Sequence, residues 1–263
     1  MRIKRFLSLC AVAALATASL AASRSSAALL ISDNFDGYAN QAAFEAVWAP
    51  ITASGTLTSA LSVSAPNSVG YATTAQRNAQ TVAETGVVSG GNIVTFSFDF
   101  YDSNAATAPY RQYANLQDGA SPTSFGQLVS MGLNNNLTSA ADGGNYYMAR
   151  ILGADGGTGA SAYFKLNNPG SPLRSTGWHN LRVDISNVVF NFYVDGFLAQ
   201  TITNSGTARS YEVVRLGSGL SAATTANFDN ARLETFQVPE PATLALAGMG
   251  LIGLCSVARR KNA

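Results

Sequence analysis

The 263-residue chain carries 16 Lys and Arg against 15 Asp and Glu, and only 12% of its residues are charged. Seven of the basic residues and one acid lie at the two ends, which leaves 29–236 with nine basic and 14 acidic residues, a net charge of −5. An acidic stretch whose single lysine is Lys165 excludes nucleic acid as a partner, because neutralising phosphates needs clustered Lys and Arg. Both cysteines, Cys10 and Cys255, also fall in the ends, so disulfide and thiolate chemistry are unavailable between them.

In chain order, Arg2, Lys4 and Arg5 precede an apolar run from Phe6 to about Ala22. Ser26-Ala27-Ala28 then meets the small-x-small cleavage rule, so 1–28 reads as an export signal and the mature chain starts near Leu29. Cleavage after Ala22 is the other option. Beyond it, period-two alternation dominates. Strands are expected over 29–35, 68–74, 80–88, 93–102, 125–133, 145–152, 160–166, 178–186, 188–195, 198–203, 211–217 and 227–236. In 93–102, Val94, Phe96, Phe98 and Phe100 share one face; Leu181, Val183 and Ile185 do so in 178–186, and Val188, Phe190, Phe192 and Val194 in 188–195. Asn187 and Asp195-Gly196 supply turns for a meander. The one helical candidate, 40–47, is short. Residues 29–236 therefore read as one all-β domain built as an antiparallel sandwich.

The chain closes on Val238-Pro239-Glu240-Pro241, an uncharged run over 243–258, and Arg259-Arg260-Lys261. As a transmembrane helix the run spans about 24 Å, slightly short of a hydrocarbon core of about 30 Å. The basic stop can snorkel and keeps the C-terminus cytoplasmic, so everything between the two ends lies outside the cytoplasm. Residues 238–242, the helix and the basic stop resemble the PEP-CTERM sorting signal of Gram-negative bacteria. That resemblance makes 237–263 a sorting tail. Its sorting motif comprises Pro239, Glu240, Pro241, Arg259, Arg260 and Lys261, and the resemblance implies that Pro239, Glu240 and Pro241 are recognised by a membrane processing enzyme, the exosortase, of bacteria that make extracellular polysaccharide. The implied itinerary is an intermediate anchored in the inner membrane, then the cell surface or extracellular matrix. A plain membrane anchor is the competing reading.

Trp178-His-Asn-Leu-Arg-Val-Asp-Ile185 followed by Phe192-Tyr-Val-Asp-Gly-Phe197 resembles the concanavalin A-like jelly roll of laminin-G-type and legume-lectin-type domains. Asn227-Phe-Asp-Asn-Ala-Arg-Leu233 resembles its closing strand, which returns beside the first, here 31–35. The expected fold is an all-β, antiparallel jelly-roll β-sandwich, flanked by an N-terminal signal helix and a C-terminal transmembrane helix.

A catalytic constellation is not evident. Glycosidases of this fold use paired carboxylates, and the Glu-x-Asp-x-x-Glu pattern is absent. Asp33/Asp36 and Asp99/Asp102 are three apart, which puts each pair on opposite strand faces. Tyr163-Phe164-Lys165 resembles a strand of alginate lyases of this fold, but their Arg-rich and Gln-x-His strands are missing. His179, the only histidine, reads as a packed strand residue, since spacing reveals no Ser or Asp partner for it. No cofactor is expected beyond a structural calcium ion held by Asp33, Asp36 and Asp229 where the first and last strands meet. Tyr101, Tyr110, Tyr113, Tyr146 and Tyr147 flank the long irregular stretch 103–125 and the Asn134-Asn135-Asn136 turn, and are the candidates for stacking on sugars. The expected function is a non-catalytic module associated with extracellular polysaccharide; a carbohydrate-active enzyme, glycosidase or lyase, is the alternative.

Overall fold

The computed structural model describes residues 27–237 apart from 73, 89–90, 106–110, 120, 135–144, 154–162, 205–208 and 222. In chain order the strands are β1 (Ala27–Asp33), β2 (Ala49–Pro50), β3 (Thr56–Thr58), β4 (Ser68–Tyr71), β5 (Asn78–Thr81), β6 (Asn92–Asp102), β7 (Gln112–Gln117) and β8 (Leu128–Leu133). They continue as β9 (Met148–Leu152), β10 (Phe164–Lys165), β11 (Gly177–Ile185), β12 (Val189–Val194), β13 (Phe197–Thr203), β14 (Val213–Leu216) and β15 (Ala226–Gln237). The single described helix, α1 (Gln41–Val47), starts on Asn40, whose side chain accepts the Ala43 N–H at 3.0 Å.

Two antiparallel sheets form the sandwich. The eight-stranded sheet runs β13-β12-β11-β6-β15-β4-β3, with β1 also pairing β15, and the seven-stranded sheet runs β10-β9-β8-β7-β14-β5-β2. The expected all-β jelly-roll sandwich is therefore present, and first and last strands pair as the closing-strand resemblance implied. The expected signal helix, transmembrane helix and sorting tail lie outside the described residues, except that Ala27 and Ala28 begin β1 and Gln237 ends β15. Among the described residues no helix is long and apolar enough to cross a membrane.

Alternation explains the core. Val94, Phe96, Phe98 and Phe100 of β6 are fully buried, as are Leu181, Val183 and Ile185 of β11 and Phe190, Phe192 and Val194 of β12. Val188, expected to extend that last set, is exposed and precedes β12. Phe228 of β15 sits at the centre, its ring 5.3 Å from Tyr71 and Phe100 and 5.7 Å from Phe98. Phe44 carries α1 onto the sandwich against Phe35 and Tyr38.

One expectation fails instructively. The stretch 103–125 contains β7, a central strand of the seven-stranded sheet between β8 and β14. Its sequence, Gln-Tyr-Ala-Asn-Leu-Gln, turns only Ala114 and Leu116 into the core, so its apolar pattern is too thin to stand out. Beside it, Gly132 of β8 has φ +145°, and a Cβ there would lie 2.4 Å from the Gln112 carbonyl oxygen. Only glycine lets β8 approach β7 at that point.

Candidate functional site

The seven-stranded sheet turns its apolar residues inward: Ala114, Leu116, Val129, Met131, Leu133, Ala149, Ile151, Val214 and Leu216 all join the core. Strand alternation then commits the intervening residues to the outer face. Register aligns them into transverse rows. Arg215 pairs with Ala79 on one side and Asn115 on the other, Asn115 pairs with Ser130, and Ser130 with Arg150. The rows on either side hold Tyr113 opposite Gly132 and Gln117 opposite Leu128.

The segment after β7 folds over this face. The Gln117 side-chain amide donates to the Ser121 carbonyl at 2.7 Å, and the Arg215 guanidinium donates through Nη1 to the Pro122 carbonyl at 3.0 Å. Between segment and sheet lies a groove of about 380 Å³, lined by Arg77, Tyr113, Asn115, Pro122, Thr123, Phe125, Leu128, Arg150, Leu152, Tyr163 and Arg215. Its size suits a small ligand or one or two sugar units. Its walls are aromatic and cationic: the Tyr113 and Tyr163 rings lie 6.1 Å apart, Arg150 sits over Tyr163 at 5.2 Å, and Arg215 over Phe125 at 5.7 Å. None of the described lining residues is Asp or Glu.

The electrostatics follow from that composition. Arg174, Arg182, Arg209 and Arg232 each pair with a carboxylate. Arg77 instead donates to the carbonyls of Gly217 and Ser218, and Arg215 to that of Pro122. Burial, reinforced by the neighbouring Arg77 charge, pushes the Arg215 guanidinium down to about 10. Burial also raises the Tyr113 phenol, with Tyr163 adding to the effect. The tyrosine is neutral at any physiological pH, as a stacking or hydrogen-bonding group should be.

Of the expected sugar-stacking residues, the groove contains Tyr113 alone. Tyr101 packs edge-on against Trp178 with centroids 5.4 Å apart, on the eight-stranded sheet. Tyr147 is fully buried against Phe100 and His179, so its faces are unavailable to a ligand. Tyr146 is half-buried, just before β9, and does not line the groove. Tyr110 lies outside the described residues, as do Asn135 and Asn136. Sequence reasoning missed Arg77, Asn115, Arg150 and Arg215, and saw Tyr163 only as part of a lyase-like strand. A signal existed: Arg150 and Arg215 each interrupt an apolar strand at its outward positions, Ala149-Arg150-Ile151 and Val214-Arg215-Leu216.

The three carboxylates expected to share calcium do not form a cluster; among the described residues no group of three metal-ligating side chains occurs. Asp33 accepts from Phe35 N–H and Trp48 Nε1–H, both at 2.8 Å, and from the Tyr38 hydroxyl. It thereby anchors the aromatic cluster beneath α1. Asp36 accepts from Asn67 N–H and the Asn34 amide. Asp229 accepts backbone N–H groups of Val63, Ser64 and Asn230. Burial raises the Asp229 carboxyl, those N–H groups oppose the rise, and Asp36 adds to it. These oxygens already serve loop closure, and the set does not fit a three-carboxylate calcium site.

His179 has the partners that spacing could not show. Its Nδ1 lies 2.8 Å from Asp195 Oδ2, and its Nε2 lies 2.9 Å from Ser175 Oγ. The Ser175 carbonyl oxygen is also 2.9 Å from Nε2, and a nitrogen donating there has no lone pair for the hydroxyl proton. Asp195 meanwhile receives the Asn180 N–H at 2.8 Å. The arrangement ties the start of β11 to the β12–β13 turn, outside the groove lining.

Comparison with known proteins adds two findings. Residues 237–261 match the PEP-CTERM protein-sorting motif, which marks an exported protein sorted by an exosortase. Among solved structures, a carbohydrate esterase from the Shiga toxin-encoding bacteriophage phi24B superposes with a TM-score of 0.53 at 11% identity, over 80% of this chain and 99% of that one. An endo-1,3-beta-glucanase from Streptomyces sioyaensis gives 0.49 at 15%, over 81% and 97%. A sialidase gives 0.45 at 10%; the match covers 79% of this chain but 18% of the sialidase. At these identities the likeness is one of fold. No curated protein matches in sequence.

Proposed function

We propose that the protein is an exported component of the bacterial surface or extracellular matrix whose sandwich binds polysaccharide without cleaving it. The groove on the seven-stranded sheet carries the reading. Tyr113, Tyr163 and Phe125 offer aromatic surfaces, Asn115 and the guanidinium groups offer hydrogen-bond donors, and the described lining holds no carboxylate. Glycoside hydrolysis needs two carboxyl groups about 5–9.5 Å apart across the scissile bond. The groove supplies recognition without that pair.

The test is binding with product analysis. Full-length protein screened on a glycan array should retain a polysaccharide, and Tyr163→Ala should weaken that retention about fivefold to 100-fold, the worth of one stacked ring. The retained glycan should be recovered at its original length and acylation, with Ser175→Ala changing neither result. Release of reducing ends, unsaturated sugar or acyl acid that vanishes in Ser175→Ala or in a carboxylate variant would instead establish an enzyme.

Sorting has its own test. The tail resembles a signal handled in the inner membrane of Gram-negative cells, with the exosortase as partner and an anchored intermediate before release to the surface. Replacing Pro239-Glu240-Pro241 by alanines should leave the protein in the inner-membrane fraction at full precursor size. Normal arrival at the surface or in the medium would make the tail an ordinary anchor.

A further inference from the structure

We infer that the groove selects anionic glycans, those carrying carboxylate or sulfate groups; this rests on the groove being the polysaccharide site. Two donors are buried beside the groove. Arg215 is 4% exposed and its Nε has no hydrogen-bond partner among the described residues. Asn115, its cross-strand neighbour, is 2% exposed and its Nδ2 is likewise without one, while its Oδ1 already accepts from Ser130 Oγ at 2.7 Å. A buried guanidinium without a carboxylate partner calls for a negative counter-charge nearby.

The surroundings carry the same sign. Arg77 is close enough to depress Arg215 further, and Arg150 lies two strands from Asn115 along the same transverse row. Three of the nine basic residues in an otherwise acidic 29–236 converge on one groove, and no described lining residue opposes them. A neutral glycan would leave the Arg215 charge buried and uncompensated. An acidic sugar in the groove supplies the counter-charge to Arg77, Arg150 and Arg215, and guanidinium forks suit both carboxylate and sulfate.

The experiment is titration calorimetry of the full-length protein with three probes of matched length: polygalacturonate, dextran sulfate and unmodified dextran. Binding of one or both anionic polymers, with unmodified dextran at least tenfold weaker, is expected. Arg215→Gln should weaken anionic binding about 30-fold or more, while Arg182→Gln, the same charge change on the eight-stranded sheet, should leave it within about twofold. Arg215→Gln should hold or raise the thermal midpoint, because it removes a buried charge; Arg150→Gln is the second variant should that fold be lost. Lowering the pH through about 3.5 separates the two chemistries: binding to polygalacturonate fades as its carboxylates protonate, and binding to dextran sulfate persists. Equal losses in Arg215→Gln and Arg182→Gln would reduce the effect to bulk charge and overturn the inference. Dextran binding that is lost in Tyr163→Ala but not in Arg215→Gln would overturn anion selection and keep the groove. Binding of no probe, or binding indifferent to Tyr163→Ala and all arginine variants, would remove both.

Discussion

Asp102→Ala is expected to destabilise the sandwich by about 3–5 kcal/mol, the cost of leaving a buried charge unpaired. Asp102 ends β6, and both it and Arg174 have side chains only 2% exposed. The guanidinium approaches the carboxylate on both oxygens, Nε to Oδ2 at 2.9 Å and Nη2 to Oδ1 at 3.2 Å. Each partner holds further backbone in place: Asp102 accepts the Asn104 N–H, Arg174 donates to the Asn104 carbonyl, and the Arg174 N–H reaches Asn145. Truncating the acid strands the arginine in a low-dielectric site and frees the segments around it. For a domain of this size the midpoint of thermal unfolding should fall by roughly 10 °C. Replacing the pair together, Asp102→Leu with Arg174→Met, should recover most of that loss, since a packed apolar pair avoids the desolvation penalty. A single variant that melts within about a degree of the parent protein would show that the pair is wet.

Phe228→Ala should have a comparable effect by a different route, about 3–5 kcal/mol from lost burial and the cavity left behind. The ring has no exposure and meets Tyr71, Phe98 and Phe100 edge-on or tilted, so it links β4, β6 and β15 through one side chain. Phe228→Leu, closer in volume, should cost about 1–2 kcal/mol. Urea unfolding distinguishes these outcomes: the midpoint should shift while the slope stays constant, because the area exposed on unfolding hardly changes. Equal midpoints for the alanine and leucine variants would mean that the neighbouring rings close the gap.

The long meander β11–β12–β13 was readable in the sequence because Leu181, Val183, Ile185, Phe190, Phe192 and Val194 alternate with polar residues, and Asp195-Gly196 fixes the turn. The same rule hid β7. Its outer residues Tyr113, Asn115 and Gln117 are buried by an overlying segment, so polar side chains stand where exposure would be inferred. The groove was illegible for a related reason. Arg77, Arg150 and Arg215 are scattered along the chain, and only strand order and register bring their neighbourhoods together. Composition counted the arginines but could not place them. His179 is the same lesson at smaller scale, with Asp195 supplied by the next hairpin and Ser175 by the segment leading into β11.

The position of β15 bears on when the sandwich can form during export. It is the last described strand in the chain, yet it lies inside the eight-stranded sheet between β6 and β4, with β1 also pairing it. A chain without residues 226–237 lacks the strand that joins its early half to its middle, and leaves edges of β1, β4 and β6 unpaired. Long-range pairings of this kind close slowly and late. The sandwich cannot close until residues 226–237 are available, which ties completion of the fold to the last stretch of chain before the sorting motif.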